Sequence, residues 1–330
     1  MRAAQVTSLD GPSAVTIAEI PEPSEPSHPE TPGSGVLVDV HAAGVSFPDL
    51  LLTRGQYQLK VEPPFVPGVE VAGVVRAASD DAGVAPGERV AAFTGLNGLQ
   101  EVVVAPAFAT FPLPERLSFA QGAGLLMNYH TVFFALMTRA RLCAGESVLV
   151  HGAAGGVGTA ALQVAKGLGA RTIAVVSSEA KERVAREAGA DEVVRADGPW
   201  REEAKALTDG AGVDVVLDPV GGDRFVDSLR VLRTEGRLVV LGFTAGSIPE
   251  VRVNRLLLNN VAVVGAAWGA YIAGRPEVER EIGAAVNRLV EDGYVTPIVG
   301  AELPLERAGE ALELLERRDA VGKVVVTLRS

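Results

Sequence analysis

The spacing of apolar and polar residues changes along the chain and divides it into two parts. In the N-terminal part, short apolar runs, such as 35–45, 69–75 and 101–106, are separated by clusters of Pro and Gly. Runs of this length that end in turn residues are typical of short strands, and they predict a small barrel or a strongly bent sheet. Residues 118–142 then show helical spacing, with Ser118 as the candidate N-cap.

Beyond Gly145 the chain alternates between Val-rich strands and amphipathic helices. The predicted strands span residues 147–152, 171–177, 191–196, 213–221, 236–243 and 261–267. The predicted helices between them span residues 158–169, 178–189, 201–210 and 223–234. This alternation is typical of a doubly wound parallel sheet, so we predict an α/β protein with a Rossmann domain. The tail, which ends in a strand at 323–329, is expected to pack back on the N-terminal part.

Composition and charge limit the possible partners. The 330 residues are 48% hydrophobic and 22% charged, with a net charge of −11. This profile is typical of a soluble protein of two domains, and an acidic surface argues against nucleic acid or an anionic membrane as a partner. Segment 256–274 carries no charge, but Asn259, Asn260 and its glycines favour a buried strand over a membrane span.

Cysteine and histidine usage argues against metal chemistry. The single cysteine, Cys143, excludes an internal disulfide and a zinc site built on several thiolates. The histidines are scattered without metal-ligand spacing, at positions 28, 41, 130 and 151, so no metal is predicted. One cysteine fits a reducing compartment, and residues 1–15 lack the apolar core of a signal peptide. We therefore expect a cytoplasmic protein.

A glycine-rich turn lies between the first predicted Rossmann strand and its helix. In residues 151–158, HGAAGGVG, Gly155 and Gly158 match the G-x-G-x-x-G pattern, while Ala153 stands at its first position. One such glycine lets backbone N–H groups approach a pyrophosphate, another lets helix and strand pack closely, and the helix N-terminus attracts phosphate. Glycine clusters also occur in purely structural turns. The order of strand, turn and helix nevertheless predicts a site for a nicotinamide dinucleotide.

The end of the second Rossmann strand distinguishes between the two nicotinamide cofactors. A site for NAD usually has Asp or Glu there, which holds the ribose 2′-hydroxyl. Here the strand ends at Ser177 and Ser178, and Lys181 follows on the next helix. Hydroxyls and a cation suit a 2′-phosphate, so NADPH is predicted rather than NADH. In the alternative interpretation Ser178 only caps the helix and Lys181 is solvated, and both roles can coexist.

Seven blocks of residues resemble the medium-chain dehydrogenase/reductase superfamily and, within it, the zinc-free NADPH:quinone oxidoreductases related to zeta-crystallin. The blocks are residues 42–58, 63–75, 124–136, 145–170, 215–222, 236–249 and 254–269. The resemblance implies a GroES-like catalytic domain at 1–122 and 267–330, and a Rossmann NADPH-binding domain at 123–266. Relatives are commonly dimers, and the apolar strand 261–267 near the sheet edge is our candidate contact for a homodimer.

The resemblance also explains why no zinc is expected. Zinc-dependent members of this superfamily have Cys where this chain has Ser46 and His where it has Val69. A catalytic zinc needs at least three good ligands, so the implied enzyme works without it. A quinone needs no polarising metal because its carbonyls are electron-poor. Either a hydride or an electron can pass from the nicotinamide to the quinone, with protons from water or a hydroxyl. The protein then has to position the reactants and exclude water, and no single side chain is expected to be indispensable.

The resemblance implies roles for individual residues, at the positions of this chain that match the family's motifs. The implied contacts at the nicotinamide end and along the cofactor are Ser46, Tyr57, Thr131, Leu241, Gly242, Phe243 and Trp268. The implied contacts of the pyrophosphate, the 2′-phosphate and the adenosine are Ala154, Gly155, Gly156, Val157, Ser177, Lys181 and Arg318. Relatives often have Asn in place of Ser46, and Tyr or His in place of Ala196. Arg195 is a candidate replacement for the missing aromatic contact.

The substrate side leaves alternatives open. Ser46, Asp49 and Tyr57 are expected to line the cleft between the domains, although Asp49 is equally well explained as a helix cap or salt-bridge residue. One alternative to quinone reduction is reduction of an enone or enoyl thioester, in which Tyr57 protonates the carbon next to the carbonyl. The other alternative is a non-catalytic NADPH-binding protein.

Overall fold

The computed structural model describes residues 1–329, which form two compact units. The first unit comprises residues 1–127, 274–287 and the chain from Thr296 onward, and the second comprises 128–273 and 288–295. The compact units thus change after Met127 and before Gly274, whereas the resemblance places the domain boundaries near 122 and 267, and that domain division stays a prediction.

Two contacts explain where the compact units change. The backbone N–H of Met127 donates to Glu70 Oε2 at 2.9 Å, which ties residues 123–127 to the first unit. Segment 288–295, expected in the first domain, packs on the second unit through Leu289. A Cβ added at Gly167 would lie only 2.8 Å from Leu289 Cδ2.

The elements alternate as the apolar pattern predicts. Within residues 1–329 the strands are β1 (Arg2–Val6), β2 (Val15–Glu19), β3 (Val36–Val45), β4 (Glu70–Ala78), β5 (Arg89–Phe93), β6 (Val102–Ala105), β7 (Thr110–Pro112), β8 (Ser147–His151), β9 (Arg171–Val176), β10 (Glu192–Arg195), β11 (Val213–Asp218), β12 (Leu232–Val240), β13 (Ala262–Gly265), β14 (Val299–Pro304) and β15 (Lys323–Thr327). The α-helices are α1 (Phe47–Thr53), α2 (Phe119–Gly122), α3 (Thr131–Phe133), α4 (Gly156–Gly167), α5 (Glu179–Glu187), α6 (Trp200–Ala206), α7 (Phe225–Val231), α8 (Asn254–Asn259), α9 (Trp268–Ile272), α10 (Pro276–Glu291) and α11 (Ala308–Glu316).

The first unit is built on a bent sheet. In the described part of the chain this sheet has seven strands in the order β14-β15-β3-β4-β5-β7, with β6 also paired to β3. β15 pairs antiparallel with β3, with Val324 opposite Val45, which confirms that the C-terminal tail packs back on the N-terminal part. Its core is rich in Val and Ala and also contains several Leu side chains, and Val38, Val71 and Val90 are fully shielded from solvent.

The second unit contains the predicted parallel sheet. Among residues 1–329 it has six strands in the order β10-β9-β8-β11-β12-β13, and every pairing is parallel. Numbered from β8, this is the order 3-2-1-4-5-6 of dinucleotide-binding folds. The order reverses between β8 and β11, where ligands bind such sheets beyond the carboxyl ends of the strands.

Three local predictions were wrong. The helix predicted to end at residue 234 ends at Val231, because Leu232 pairs with Val213 and begins β12. The helical stretch 118–142 is interrupted after α2, and π-turns at Leu126–His130 and Phe134–Ala140 flank α3. The strand predicted as buried at 261–267 is the short edge strand β13, whose Ala262 is exposed.

No helix within residues 1–329 is long and apolar enough to cross a membrane. The predicted cytoplasmic location stays a prediction.

Candidate functional site

The turn between β8 and α4 has the geometry of a phosphate cradle. Gly152 has a φ of 60°, and Gly155 N donates to Gly152 O at 3.0 Å. A Cβ at Gly158 would lie 2.2 Å from Gly152 O, so only glycine lets α4 start this close to the turn. The first amides of α4 have no acceptor within the helix. Because Gly155 N is engaged inside the turn, the N–H groups that residues 154–157 can present at this helix N-terminus are those of Ala154, Gly156 and Val157, and a pyrophosphate binds favourably at such a place.

The segment that contains Thr131 lies beside this turn. A Cβ at Gly156 would come within 2.6 Å of Asn128 Nδ2, so residue 128 packs directly against the start of α4. Thr131 Oγ1 is buried and has no hydrogen-bond partner in the described part of the chain. A buried hydroxyl without a partner is costly, and a bound polar ligand removes that cost. The predicted cofactor contact of Thr131 thus fits an observation in this structure.

Of the predicted 2′-phosphate residues, Ser177 directly follows β9 and Lys181 lies in the first turn of α5. Ser177 follows β9 and is exposed, and Arg195 Nη2 at the end of β10 donates to Ser177 O at 3.2 Å. Ser178 Oγ accepts from Lys181 N at 3.2 Å as the N-cap of α5. The capping alternative for Ser178 is therefore present. It also fixes the first turn of the helix that carries Lys181, and it leaves Ser177 free for a different role.

The residues assigned to the nicotinamide lie in the loop after β12 and at the start of α9. Leu241 N donates to Asp218 O at 2.9 Å, so the loop that holds residues 241–243 lies beside the end of β11. Trp268 is buried, and its ring packs edge-on against the His130 ring, with 5.9 Å between the two ring centroids. Arg318 follows α11 in the first unit with a φ of 59°. The contacts of these residues with a cofactor stay predictions.

In the first unit, Asp49 holds the start of α1. Its two carboxylate oxygens accept from Ser46 N and Gly68 N, both at 2.8 Å. Asp49 is completely buried, and this burial raises its pKa to about 6, against the opposing effect of the two amide hydrogen bonds. The hydrogen bonds of a helix cap, one of the two explanations for Asp49, are thus present.

Tyr57 keeps its phenolic proton. Its ring packs on Val6, Leu52 and Phe65. Burial raises the pKa of Tyr57 further above its ordinary value, and the negative charge of Asp49 adds to the shift. The hydroxyl is therefore a hydrogen-bond donor at neutral pH.

Two charged residues that the sequence analysis did not single out lie next to Ser46. Lys323 Nζ donates to Ser46 Oγ at 2.7 Å and forms an ion pair with Glu70. Lys323 is only 3% exposed and Glu70 is fully buried. A signal was available in the sequence, because each residue interrupts an apolar strand pattern with a charge. Nothing in the sequence indicates, however, that the two residues pair.

The residues at the two zinc-ligand positions of the superfamily do not fit that metal. Ser46 and Val69 offer no strong ligand, and the Lys323 ammonium already contacts Ser46. Within residues 1–329 no group of three or more His, Cys, Asp or Glu side chains could hold a metal ion.

Comparisons with known proteins identify the family. Residues 32–115 match the family described as alcohol dehydrogenase GroES-like domain, and residues 156–286 match the family described as zinc-binding dehydrogenase. The chain is 37% identical to quinone oxidoreductase-like protein 2 of Rattus norvegicus, over 99% of this chain and 92% of that protein. These matches confirm the predicted combination of a GroES-like domain and a Rossmann domain.

Solved structures agree with this assignment. A probable oxidoreductase from Mycobacterium abscessus superposes with a TM-score of 0.89 at 43% identity, covering 99% of both chains. The quinone oxidoreductase from Thermus thermophilus, also solved in complex with NADPH, superposes with a TM-score of 0.81 at 33% identity, covering 99% of this chain and 100% of that one. The chain therefore belongs to the quinone oxidoreductase family of the medium-chain dehydrogenases/reductases.

Proposed function

We propose that this protein is a zinc-independent, NADPH-dependent reductase of quinones. The observation that carries the proposal is the environment of Ser46, which has a buried lysine ammonium at 2.7 Å and, within residues 1–329, lacks a set of metal ligands. An ammonium and a hydroxyl can stabilise negative charge on an acceptor oxygen, and an electron-poor quinone needs no stronger Lewis acid.

NADPH is the proposed cofactor, and when bound it supplies the hydride. The amides of Ala154, Gly156 and Val157 would hold its pyrophosphate with Gly155 shaping the turn, and the buried Thr131 hydroxyl would contact the cofactor. Ser177 and Lys181 would bind the 2′-phosphate, and Arg195, which donates to Ser177 O, would replace the missing aromatic contact of the adenosine. The solved complex of the Thermus relative with NADPH supports NADPH as the cofactor.

Ser46 and Tyr57 are the proposed contacts of the acceptor. Both present a hydroxyl, and the raised pKa of Tyr57 keeps its proton in place. Asp49 contributes indirectly, since its hydrogen bonds to Ser46 N and Gly68 N hold the backbone that carries Ser46. The chain thus positions the acceptor and excludes water.

Steady-state kinetics after removal of metals tests the proposal. Protein dialysed against a chelator is expected to oxidise NADPH with a 1,2- or 1,4-quinone at the rate of untreated protein. Loss of activity that returns with added zinc would contradict the zinc-independent mechanism. If NADPH binds but no quinone, enone or enoyl thioester is reduced, the protein is instead a non-catalytic NADPH-binding protein.

The protonated Tyr57 favours a second candidate function, reduction of an enone or enoyl thioester. In that reaction Tyr57 would protonate the carbon next to the carbonyl after hydride addition. The variant Tyr57→Phe separates the two functions, because it is expected to nearly abolish enone reduction and to leave quinone reduction largely intact. Equal losses with both substrates would remove Tyr57 as the distinguishing residue.

A homodimer through β13 is the proposed assembly. β13 is the last strand of the parallel sheet in the described part of the chain, and an open strand edge is a template for pairing. Four large apolar side chains in the segment that precedes β13 are about three-quarters exposed, namely Ile248, Val253, Leu257 and Leu258. Exposed apolar side chains of this size favour a protein interface. Light scattering is expected to show a dimer, and the double variant Leu257→Asp/Leu258→Asp is expected to yield a monomer.

A further inference from the structure

We infer that Lys323 is a positioning residue that turns the Ser46 hydroxyl into a hydrogen-bond donor for the acceptor oxygen of the substrate. The inference rests on the proposed reductase function and adds a residue to it. Neither the family matches nor the sequence analysis assigns a role to Lys323 or to its partner Glu70.

The fold makes room for a lysine side chain at this place. Lys323 begins β15, and its stem passes two glycines that face it. A Cβ at Gly44 would lie 2.7 Å from Lys323 Cε, and a Cβ at Gly124 would lie 3.0 Å from Lys323 Cγ. Any larger residue at either position would displace the stem. The ammonium therefore reaches Ser46 because β3 and the turn after α2 lack side chains there.

Glu70 keeps the ammonium in place. One carboxylate oxygen forms the ion pair with Lys323, and the other accepts from Met127 N at 2.9 Å. A buried charge pair is retained only when its remaining hydrogen-bonding positions are satisfied. Because the Met127 N–H holds one carboxylate oxygen of Glu70 in place, the other oxygen is fixed where it pairs with the Lys323 ammonium.

The direction of the hydrogen bonds determines what Ser46 can do. An ammonium only donates, so Ser46 Oγ is the acceptor in its contact with Lys323. The proton of the Ser46 hydroxyl is then left for another acceptor. Donation from the ammonium also polarises the hydroxyl and makes it a stronger donor. Ser46 remains 7% exposed, so this donor is not sealed inside the unit.

A quinone oxygen is the acceptor that this arrangement fits. Hydride addition places two electrons and one hydrogen on the quinone and leaves negative charge on an oxygen. The nicotinamide is oxidised, and the second proton of the hydroquinone comes from water. Ser46 keeps its own proton throughout and stabilises the oxyanion by a hydrogen bond, while Lys323 stabilises it through Ser46.

Substitutions test the coupling between Lys323 and Ser46. Replacing Lys323 alone would leave Glu70 buried without its partner, so the test uses the neutral pair Glu70→Gln/Lys323→Met. We expect Ser46→Ala and the neutral pair each to lower kcat/KM for the quinone by about a hundredfold, with the KM for NADPH unchanged. The triple variant Ser46→Ala/Glu70→Gln/Lys323→Met is expected to have a kcat/KM no lower than that of Ser46→Ala or of the neutral pair. Multiplicative losses would overturn the inference.

Two further variants serve as rescue and control. Ser46→Asn is expected to stay within about threefold of the parent kcat/KM, because an amide offers both an acceptor for Lys323 and a donor for the substrate. Lys166→Met is the matched control, since it removes a lysine that is half exposed and pairs with Asp191 at the surface. An Asn variant as slow as Ser46→Ala would count against the inference.

An equilibrium measurement separates this inference from the proposed function. 4-Nitrophenolate resembles the hydroquinone anion and changes its absorbance on binding. We expect Ser46→Ala and the neutral pair each to weaken its binding about tenfold. Unchanged affinity, or no binding to the parent protein, would overturn the role of Lys323 even if quinone is reduced. Binding that depends on Ser46 and Lys323, without NADPH oxidation by any acceptor, would overturn the proposed function alone.

Discussion

The phosphate turn of the second unit and the polar cluster of the first unit are built in opposite ways. The turn uses eight consecutive residues, 151–158, and its chemistry comes from backbone amides and from glycines that leave room for them. The cluster uses the side chains of Ser46, Glu70 and Lys323, and Lys323 is separated from the other two by 277 and 253 residues. A site made of backbone depends on local sequence, whereas a site made of side chains depends on the whole fold.

The largest expected effect separates two glycines of the turn. Gly158→Ala places a Cβ 2.2 Å from Gly152 O, so the backbone must move. We expect it to lower the free energy of unfolding by about 3 kcal/mol or more and to abolish NADPH binding. Urea denaturation and fluorescence titration with NADPH measure the two quantities.

Gly155→Ala is the matched variant. A Cβ there would lie 3.5 Å from Gly152 O, an ordinary van der Waals distance. This variant is expected to fold with nearly the parent stability but to bind NADPH at least tenfold more weakly, because the added methyl group hinders the approach of the pyrophosphate. If both variants bound NADPH as the parent does, the turn would not be the phosphate site.

The second-largest expected effect is on the pH dependence of stability. One buried titratable residue in each unit contributes to it, and the two contributions have opposite signs. In the second unit His151 is fully buried, with Nε2 at 2.8 Å from Ser228 Oγ, and burial lowers its pKa to about 4. Its unfolded form takes up a proton near pH 6.5, so His151 lowers stability as the pH falls from 6.5 to 4, by about 3 kcal/mol in all. Asp49 in the first unit has its pKa raised to about 6, so it raises stability by a similar amount as the pH falls from 6 to about 4.

Urea denaturation of variants at several pH values resolves the two contributions. His151→Gln is expected to lose less stability on acidification than the parent. Asp49→Asn is expected to lose more, whatever its stability at neutral pH. Parallel curves for the parent and both variants would show that neither group titrates as its burial requires.

The third effect tests whether side chains or the backbone distinguish NADPH from NADH. Lys181→Ala is expected to raise the Kd for NADPH about tenfold, equivalent to about 1.4 kcal/mol, and to leave the Kd for NADH unchanged. Arg186→Ala is the control, because Arg186 lies on the same helix and pairs with Glu182 at 2.8 Å. Equal changes for both cofactors would assign Lys181 to helix stability rather than to the 2′-phosphate.

These contrasts also explain how much of the molecule could be predicted from its sequence. The parallel sheet, the phosphate turn and the return of β15 to β3 were predictable, because each follows from local spacing or from the family resemblance. The break after α2 and the early end of α7 were not, since long-range contacts compete with helical spacing at both places: Met127 N donates to the Glu70 carboxylate after α2, and Leu232 pairs with Val213 after α7.

The candidate site shows the same difference between contacts that are local in sequence and contacts between distant residues. The turn and the Ser178 cap depend on residues within a few positions of each other. The order of strand, turn and helix and the alternative that Ser178 caps α5 are both present in the structure, whereas the contacts of these residues with a cofactor stay predictions. The partner of Ser46 could not be predicted, because nothing local indicates that Lys323 passes Gly44 to reach it. Single charges in apolar strands, such as Glu70 and Lys323, are the signal to search for in related chains.

The most direct test of the central claim is the initial rate of NADPH and NADH oxidation in chelator-treated buffer with quinones, enones and enoyl-CoA thioesters as acceptors. We expect rapid oxidation of NADPH with a quinone, slower oxidation of NADH, and no gain from added zinc. Preference for NADH, or a requirement for zinc, or reduction of enones without reduction of quinones, would contradict the proposed function.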